Sequence, residues 1–249
     1  MELRGVVERY AEAIQYVDKS STHVSANART GVVYQPGAKS MSESTLVREL
    51  DEAWEYLHPG ERQLHRLDVP YPGLPSTAKA DHVITTDGDL RRDEWAIEVK
   101  RLQLVGDNGK RNDYATTKVL SPYLKDRGML HDAARLREYG FTRKVAIIGY
   151  CFEYDTSSIA LARAKHTSPD AMAVIDAIEA TVRSSGPLRI RPLVEFADAI
   201  LGLRGFTKGP RAEAELEAWR HPAGGKGLVF GWEIRRPQLE PDFDPRHPW

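Results

Sequence analysis

The nine residues "KVAIIGYCF" at 144–152 constrain the fold more than any other stretch of the chain. They are apolar nearly throughout and show no period-two alternation, the pattern of a strand buried on both faces. Such a strand needs a sheet with helices on each side of it. Upstream, "ADHVITT" at 80–86 and "WAIEVKRLQL" at 95–104 read as two strands around "DGDLRRD", whose Asp87-Gly88 is a strong turn signal. Residues 112–139 read as helical, with a break near Ser121-Pro122, and Gly140 stands where a left-handed C-terminal residue is wanted. A strand joined through a helix to a second buried strand implies a parallel crossover, whereas the hairpin before it is antiparallel. The expected class is therefore α/β, a mixed central sheet flanked by helices.

Further elements extend this plan. Val6, Val7, Tyr10, Ala13, Ile14 and Val17 fall on helical spacing and predict a first helix over about Glu2 to Val17. A Ser-, Gly- and Thr-rich stretch follows, with "GVVY" as a short strand or ordered loop. A second helix is predicted over Thr45–Leu57, capped by Ser42 or Ser44 and stopped by "HPG". Leu64 to Val69 reads as a strand ahead of a Pro-rich turn. Beyond residue 152 the pattern predicts a helix at Pro169–Arg183 and a strand at Leu188–Ile190. It then predicts helices in "VEFADAILGL" and "RAEAELEAWR", a late strand in "GLVFGWEI" and an extended Pro-rich tail. The chain divides into an N-terminal helix and loop at 1–41, a core at 42–152, and an extension at 153–249 packed on that core.

Composition narrows the function classes. Apolar residues make up 41% of the chain, enough for a real core, and no run approaches the length of a membrane span. The N-terminus lacks a secretory signal pattern. Cys151 is alone, which excludes an internal disulfide and a cysteine-based zinc site, and suits a reducing cytoplasm. A net charge of -1 argues against coating nucleic acid by bulk charge. The segment from Glu98 to Lys144 nevertheless carries eleven Lys/Arg against six Asp/Glu, so a local basic groove stays open beside a merely solvated helix surface.

The chemistry-bearing pattern lies on the strand at 95–104. Alternation puts Ala96, Glu98, Lys100 and Leu102 on one face, and Ile97, Val99 and Arg101 on the other. Asp81 opens the partner strand, so two carboxylates on adjacent strands can converge on one divalent cation. Oxygen ligands of this kind suit Mg2+, with Mn2+ as a substitute, and the backbone carbonyl of Val99 could complete the set. Phosphodiester hydrolysis needs an activated water and neutralisation of charge on the phosphate; a metal supplies both, and Lys100 on the same face can orient the water or stabilise the charge.

Asp81 followed by "EVK" at 98–100, on a hairpin preceded by an acidic helix and followed by a helix and a buried strand, resembles the PD-(D/E)XK nuclease superfamily. The resemblance covers roughly residues 42–152 and implies a restriction-endonuclease-like core that cuts DNA with Mg2+. Asp81 matches the first acid, Glu98 the second and Lys100 the lysine, while Ala80 replaces the proline that often precedes the first acid. Many such nucleases add a glutamate from the helix before the sheet. Glu49 borders the apolar stripe of Leu46, Leu50, Ala53, Trp54 and Leu57, with Glu52 and Glu55 further outward, which makes Glu49 the candidate. The resemblance also implies a homodimer, since two strands need two cuts. Lys110, Arg111 and Lys118 are candidate phosphate contacts, with Asn112, Tyr114, Lys125 and Arg127 nearby.

Two other functions compete with an endodeoxyribonuclease of restriction, defence or repair. One is a DNA-binding or assembly subunit that keeps the fold without cutting; the other is an unrelated α/β protein whose Glu98 and Lys100 form a surface ion pair. His82 is expected on the face opposite Asp81 as a packed or hydrogen-bonded side chain, and the histidines show no H-E-x-x-H spacing. "GDNGK" and "GGKG" lack P-loop spacing and read as turns. Trp219, Trp232 and Trp249 read as packing residues.

Overall fold

A computed structural model describes residues 1–26, 30–61, 65–85, 93–112, 114–121 and 128–236. The Asp87-Gly88 turn, Pro122, Lys125, Arg127 and the Pro-rich tail with Trp249 lie outside them. The elements are helix α1 (Leu3–Ser20), α2 (Glu43–Leu57), strands β1 (His65–Pro70), β2 (Lys79–Thr85) and β3 (Asp93–Arg101), α3 (Tyr114–Leu120), α4 (Met129–Tyr139), β4 (Lys144–Phe152), α5 (Thr156–Lys165), α6 (Pro169–Ser185), α7 (Arg191–Leu203), β5 (Ala212–Ala218) and β6 (Gly225–Glu233). They build a six-stranded mixed sheet in the order β1-β2-β3-β4-β6-β5. Only the β3–β4 pair is parallel; the other four pairs are antiparallel. No described helix is long and apolar enough to cross a membrane.

Alternation along the central strands feeds two cores. Ile97, Val99, Ala146, Ile148 and Tyr150 face α1, α2, α5 and α6, whose contributions include Val6, Tyr10, Ile14, Leu50, Trp54, Ile159 and Ile175. Ala96, Leu102, Val145, Ile147 and Cys151 face α3, α4 and α7, against Ala115, Met129, Ala133, Leu136 and Val194. The continuous apolar run at 144–152 is thus the strand that both cores share. Strand β6 pairs with β4, so residues after 152 complete the sheet on which the hairpin rests.

Local chemistry explains most boundaries. The Ser42 hydroxyl accepts the Thr45 N–H at 3.1 Å, which settles the cap of α2 in favour of Ser42 over Ser44. Helix α5, which apolar periodicity does not reveal, starts at a capping box in which Asp155 and Ser158 satisfy each other's amides. Three expectations are corrected. "RAEAELEAWR" holds strand β5, not a helix: Leu216 and Ala218 turn inward while Glu215 and Glu217 are exposed, so a period-two pattern prevails over Ala/Glu helix propensity once β6 offers a partner. Leu188–Ile190 is no strand; Leu188 makes an isolated bridge to Tyr154 before α7 begins. Gly140 has φ -57°, not a left-handed angle. A Cβ there would lie 2.4 Å from the Leu136 carbonyl oxygen and 2.8 Å from Val145 Cγ1, so space and not dihedral freedom calls for glycine.

Gly149 sits at the same kind of close approach inside the sheet. A Cβ on it would meet Phe230 Cε2 at 2.3 Å, and Phe230 is itself buried across the β4–β6 pair. Gly149→Ala is expected to destabilise the fold by about 1–3 kcal/mol, read as a lower urea midpoint at unchanged slope. A Phe230→Leu change in the same chain should restore part of the loss.

Candidate functional site

The β2–β3 register pairs His82 with Ile97, Val83 with Ala96 and Ile84 with Trp95. Continued by one step, it sets Asp81 across from Glu98, on the face that also carries Lys100 two residues further on. The β1–β2 pairing skips Asp68, opposite Asp81, which takes the left-handed φ of 52°. An Asp tolerates that angle, and it interrupts the ladder beside the acid. Asp81 uses Oδ2 to accept the Val99 N–H at 2.7 Å. The contact between Asp81 and Val99 therefore runs through the amide; the Val99 carbonyl takes no part in it.

Glu98 and Lys100 are 1% and 5% exposed, which distinguishes them from a surface ion pair. Two groups claim Glu98 Oε1: the Tyr71 hydroxyl donates at 2.5 Å and Arg135 Nη2 lies at 2.7 Å. The same guanidinium nitrogen donates to Asp132 Oδ1 at 2.8 Å, and Lys100 Nζ stands 2.8 Å from Asp132 Oδ2. Asp132 and Arg135 are one turn apart on α4, an i,i+3 pair that reaches down onto the strand. Arg135 also lies over the Tyr71 ring, 5.1 Å from its centroid. These α4 residues and Tyr71 are the part of the site that sequence reasoning missed. The spacing of Asp132 and Arg135 was a usable signal; nothing local marks Tyr71.

The helix carboxylate that approaches this cluster is Glu43. Its Oε1 accepts the Arg101 N–H at 2.9 Å, and its charge acts on both Asp81 and Lys100. Glu49, the sequence candidate, lies six residues further along α2 and is half-buried. The apolar stripe was a poor guide because Glu43 reaches the strand from the first turn, beyond the end of that stripe. Lys110 and Arg111 are exposed in the loop after β3, Asn112 caps the Tyr114 amide, and Tyr114 is 61% exposed. Lys118 differs: it is buried on α3, 9% exposed, and does not present itself to solvent as the sequence suggests.

Electrostatics set the character of the cluster. Four carboxylates (Asp81, Glu98, Asp132 and Glu43) meet two cations, Lys100 and Arg135. Burial, then the charges of Asp132 and Asp81, push the Glu98 carboxyl well above its ordinary value, against Lys100 and Arg135. Burial likewise raises Asp81, opposed by Lys100 and the Val99 amide. Burial alone would lower Lys100, but Asp132, Glu43, Glu98 and Asp81 outweigh it and hold the ammonium above its usual value. An excess of buried negative charge of this kind is what a hard dication offsets, and carboxylate oxygens are its preferred donors.

Comparison with protein-family models, curated proteins and solved structures finds no match for this chain.

The geometry of the cluster carries a pH signature. Folded Glu98 keeps its proton to higher pH than the unfolded chain, so its contribution to metal-free stability falls as pH rises above the ordinary value of 4.5. Glu98→Gln is expected to flatten this fall in metal-free stability between acidic buffer and pH 7. Urea titrations at several pH values check this; a uniform loss of stability in the variant would contradict it.

Proposed function

We propose that this protein is a Mg2+-dependent endodeoxyribonuclease with a restriction-endonuclease-like core, acting in restriction, defence or repair. The observation that carries the proposal is Asp81 standing across from Glu98 with Lys100 on the same strand face. The order α2–β1–β2–β3–α3–α4–β4, with the first three strands antiparallel and β3 parallel to β4, supports it as the arrangement the superfamily resemblance implies.

In this reading Asp81 and Glu98 would hold the metal, which when bound would supply a water of lowered pKa and polarise the scissile phosphate. Lys100, kept protonated by its carboxylate neighbours, stabilises charge on the phosphate oxygens. Asp132 and Tyr71 position Lys100 and Glu98 through the contacts described above. Glu43 would support the metal side in the role expected of Glu49. Lys110 and Arg111 contact DNA phosphates from the loop beyond β3.

One observation favours a second function. Glu98 Oε1 is already held by Tyr71 and Arg135, as a structural carboxylate would be, and that suits a DNA-binding or assembly subunit that does not cut. Incubation with supercoiled plasmid separates the two. The nuclease nicks or linearises DNA with Mg2+ or Mn2+, and Asp81→Ala and Lys100→Ala each lose about 100-fold or more in rate. DNA retention in a mobility-shift assay without cleavage under either metal supports the subunit. A protein that neither binds nor cuts overturns both.

A further inference from the structure

On the opposite face of β2 from Asp81, the structure gathers Asp51 of α2, His65 of β1 and His82 of β2. One ring nitrogen of each histidine and one Asp51 carboxylate oxygen all lie within 4.8 Å of one another. The His65 side chain is 1% exposed, and His82 is fully buried. His82 Nε2 and His65 Nδ1 have no hydrogen-bond partner, although His65 Nδ1 stands 3.4 Å from Asp51 Oδ1. Two buried ring nitrogens without hydrogen bonds beside one carboxylate are costly unless something else occupies them.

We propose that Asp51, His65 and His82 form a binding site for a borderline transition-metal dication, Zn2+ above all. Two imidazoles and a carboxylate are donors for such an ion, whereas Mg2+ prefers an all-oxygen shell. Around a tetrahedral Zn2+, with bonds near 2.1 Å, neighbouring donors stand about 3.4 Å apart. His65 Nδ1 and Asp51 Oδ1 already stand at 3.4 Å, and the ligand atoms of all three groups lie within 4.8 Å of one another. His82 Nδ1 is 2.7 Å from the Tyr10 hydroxyl. A Nδ1–H donating to that oxygen leaves the Nε2 lone pair for the metal, the outer-shell arrangement that fixes a ligating histidine. Trp54 closes the site, its ring edge-on to His65 and His82 at centroid distances of 4.6 and 5.7 Å. The ion would staple α2, β1 and β2 together behind the strand that carries Asp81. The site shares no ligand with the Asp81–Glu98 pair and does not depend on the proposed nuclease activity.

The test is zinc binding by the full chain after chelator treatment, followed by calorimetry and metal analysis. One Zn2+ per chain is expected, and Co2+ in its place should give visible bands of imidazole coordination. His82 is too deeply packed for its removal to be informative. Asp51→Asn and Asp51→Asn/His65→Gln are the diagnostic variants, with folding checked by circular dichroism. Each should weaken Zn2+ by about 100-fold or more, while Asp81→Ala/Glu98→Ala keeps full affinity. Tyr10→Phe should weaken it by about 10-fold. Absence of bound Zn2+, its retention in the folded double variant, or its loss in Asp81→Ala/Glu98→Ala would overturn the proposal.

Discussion

The pairing of β2 with β3 decides which side chains meet in this molecule. Side chains alternate along a strand, so a slip of one residue would carry Asp81 to the α1 side and bring His82 against α4. Three buried pairs resist that slip: His82 with Ile97, Val83 with Ala96, and Ile84 with Trp95. Ile97 and Trp95 belong to one core, Val83 and Ala96 to the other. Packing on both faces therefore fixes the register, and the register fixes the chemistry. Asp81 and His82 are neighbours in sequence, yet they serve two clusters on opposite sides of one sheet.

Helix α4 gives the polar cluster its closed form. Its apolar residues Met129, Ala133 and Leu136 seat it on the sheet, and that seating brings Asp132 and Arg135 over the strand. The result is a small network in which Lys100 pairs with Asp132 and Arg135 with Glu98 and Asp132, while carboxylates still outnumber cations. Networks of this kind are sensitive: satisfied, they hold a unique arrangement; deprived of one member, they leave a buried charge exposed to its neighbours.

Much of this was legible in the chain itself. Unbroken hydrophobicity at 144–152, alternation in "WAIEVK" and the apolar stripes of α1 and α2 report directly on burial, because each element's period shows up as a repeat along the chain. Asp81, Glu98 and Lys100 could be grouped from the same alternation. The residues that escaped notice act across long separations. Tyr71 reaches Glu98 from a turn after β1, Arg135 and Asp132 descend from another helix, and Glu43 reaches in from the first turn of α2. Their roles depend on where elements pack, which the i,i+3 spacing of Asp132 and Arg135 hints at but does not fix. "RAEAELEAWR" fails for a related reason: its composition favours a helix in isolation, and only a waiting strand partner makes it extended. The aromatic setting of His65 and His82 was equally hidden, since the histidines stand on separate strands with no motif spacing between them.

Strand β5 ends the sheet and bears Glu213, Glu215 and Glu217 in alternation with Ala and Leu, Glu213 paired with Arg191 and Arg211 and the other two exposed. A second copy adding its own β5 antiparallel to this border would set one row of glutamates against another, and like charges on facing strands repel. Continuous sheet growth between molecules is thereby discouraged at this margin.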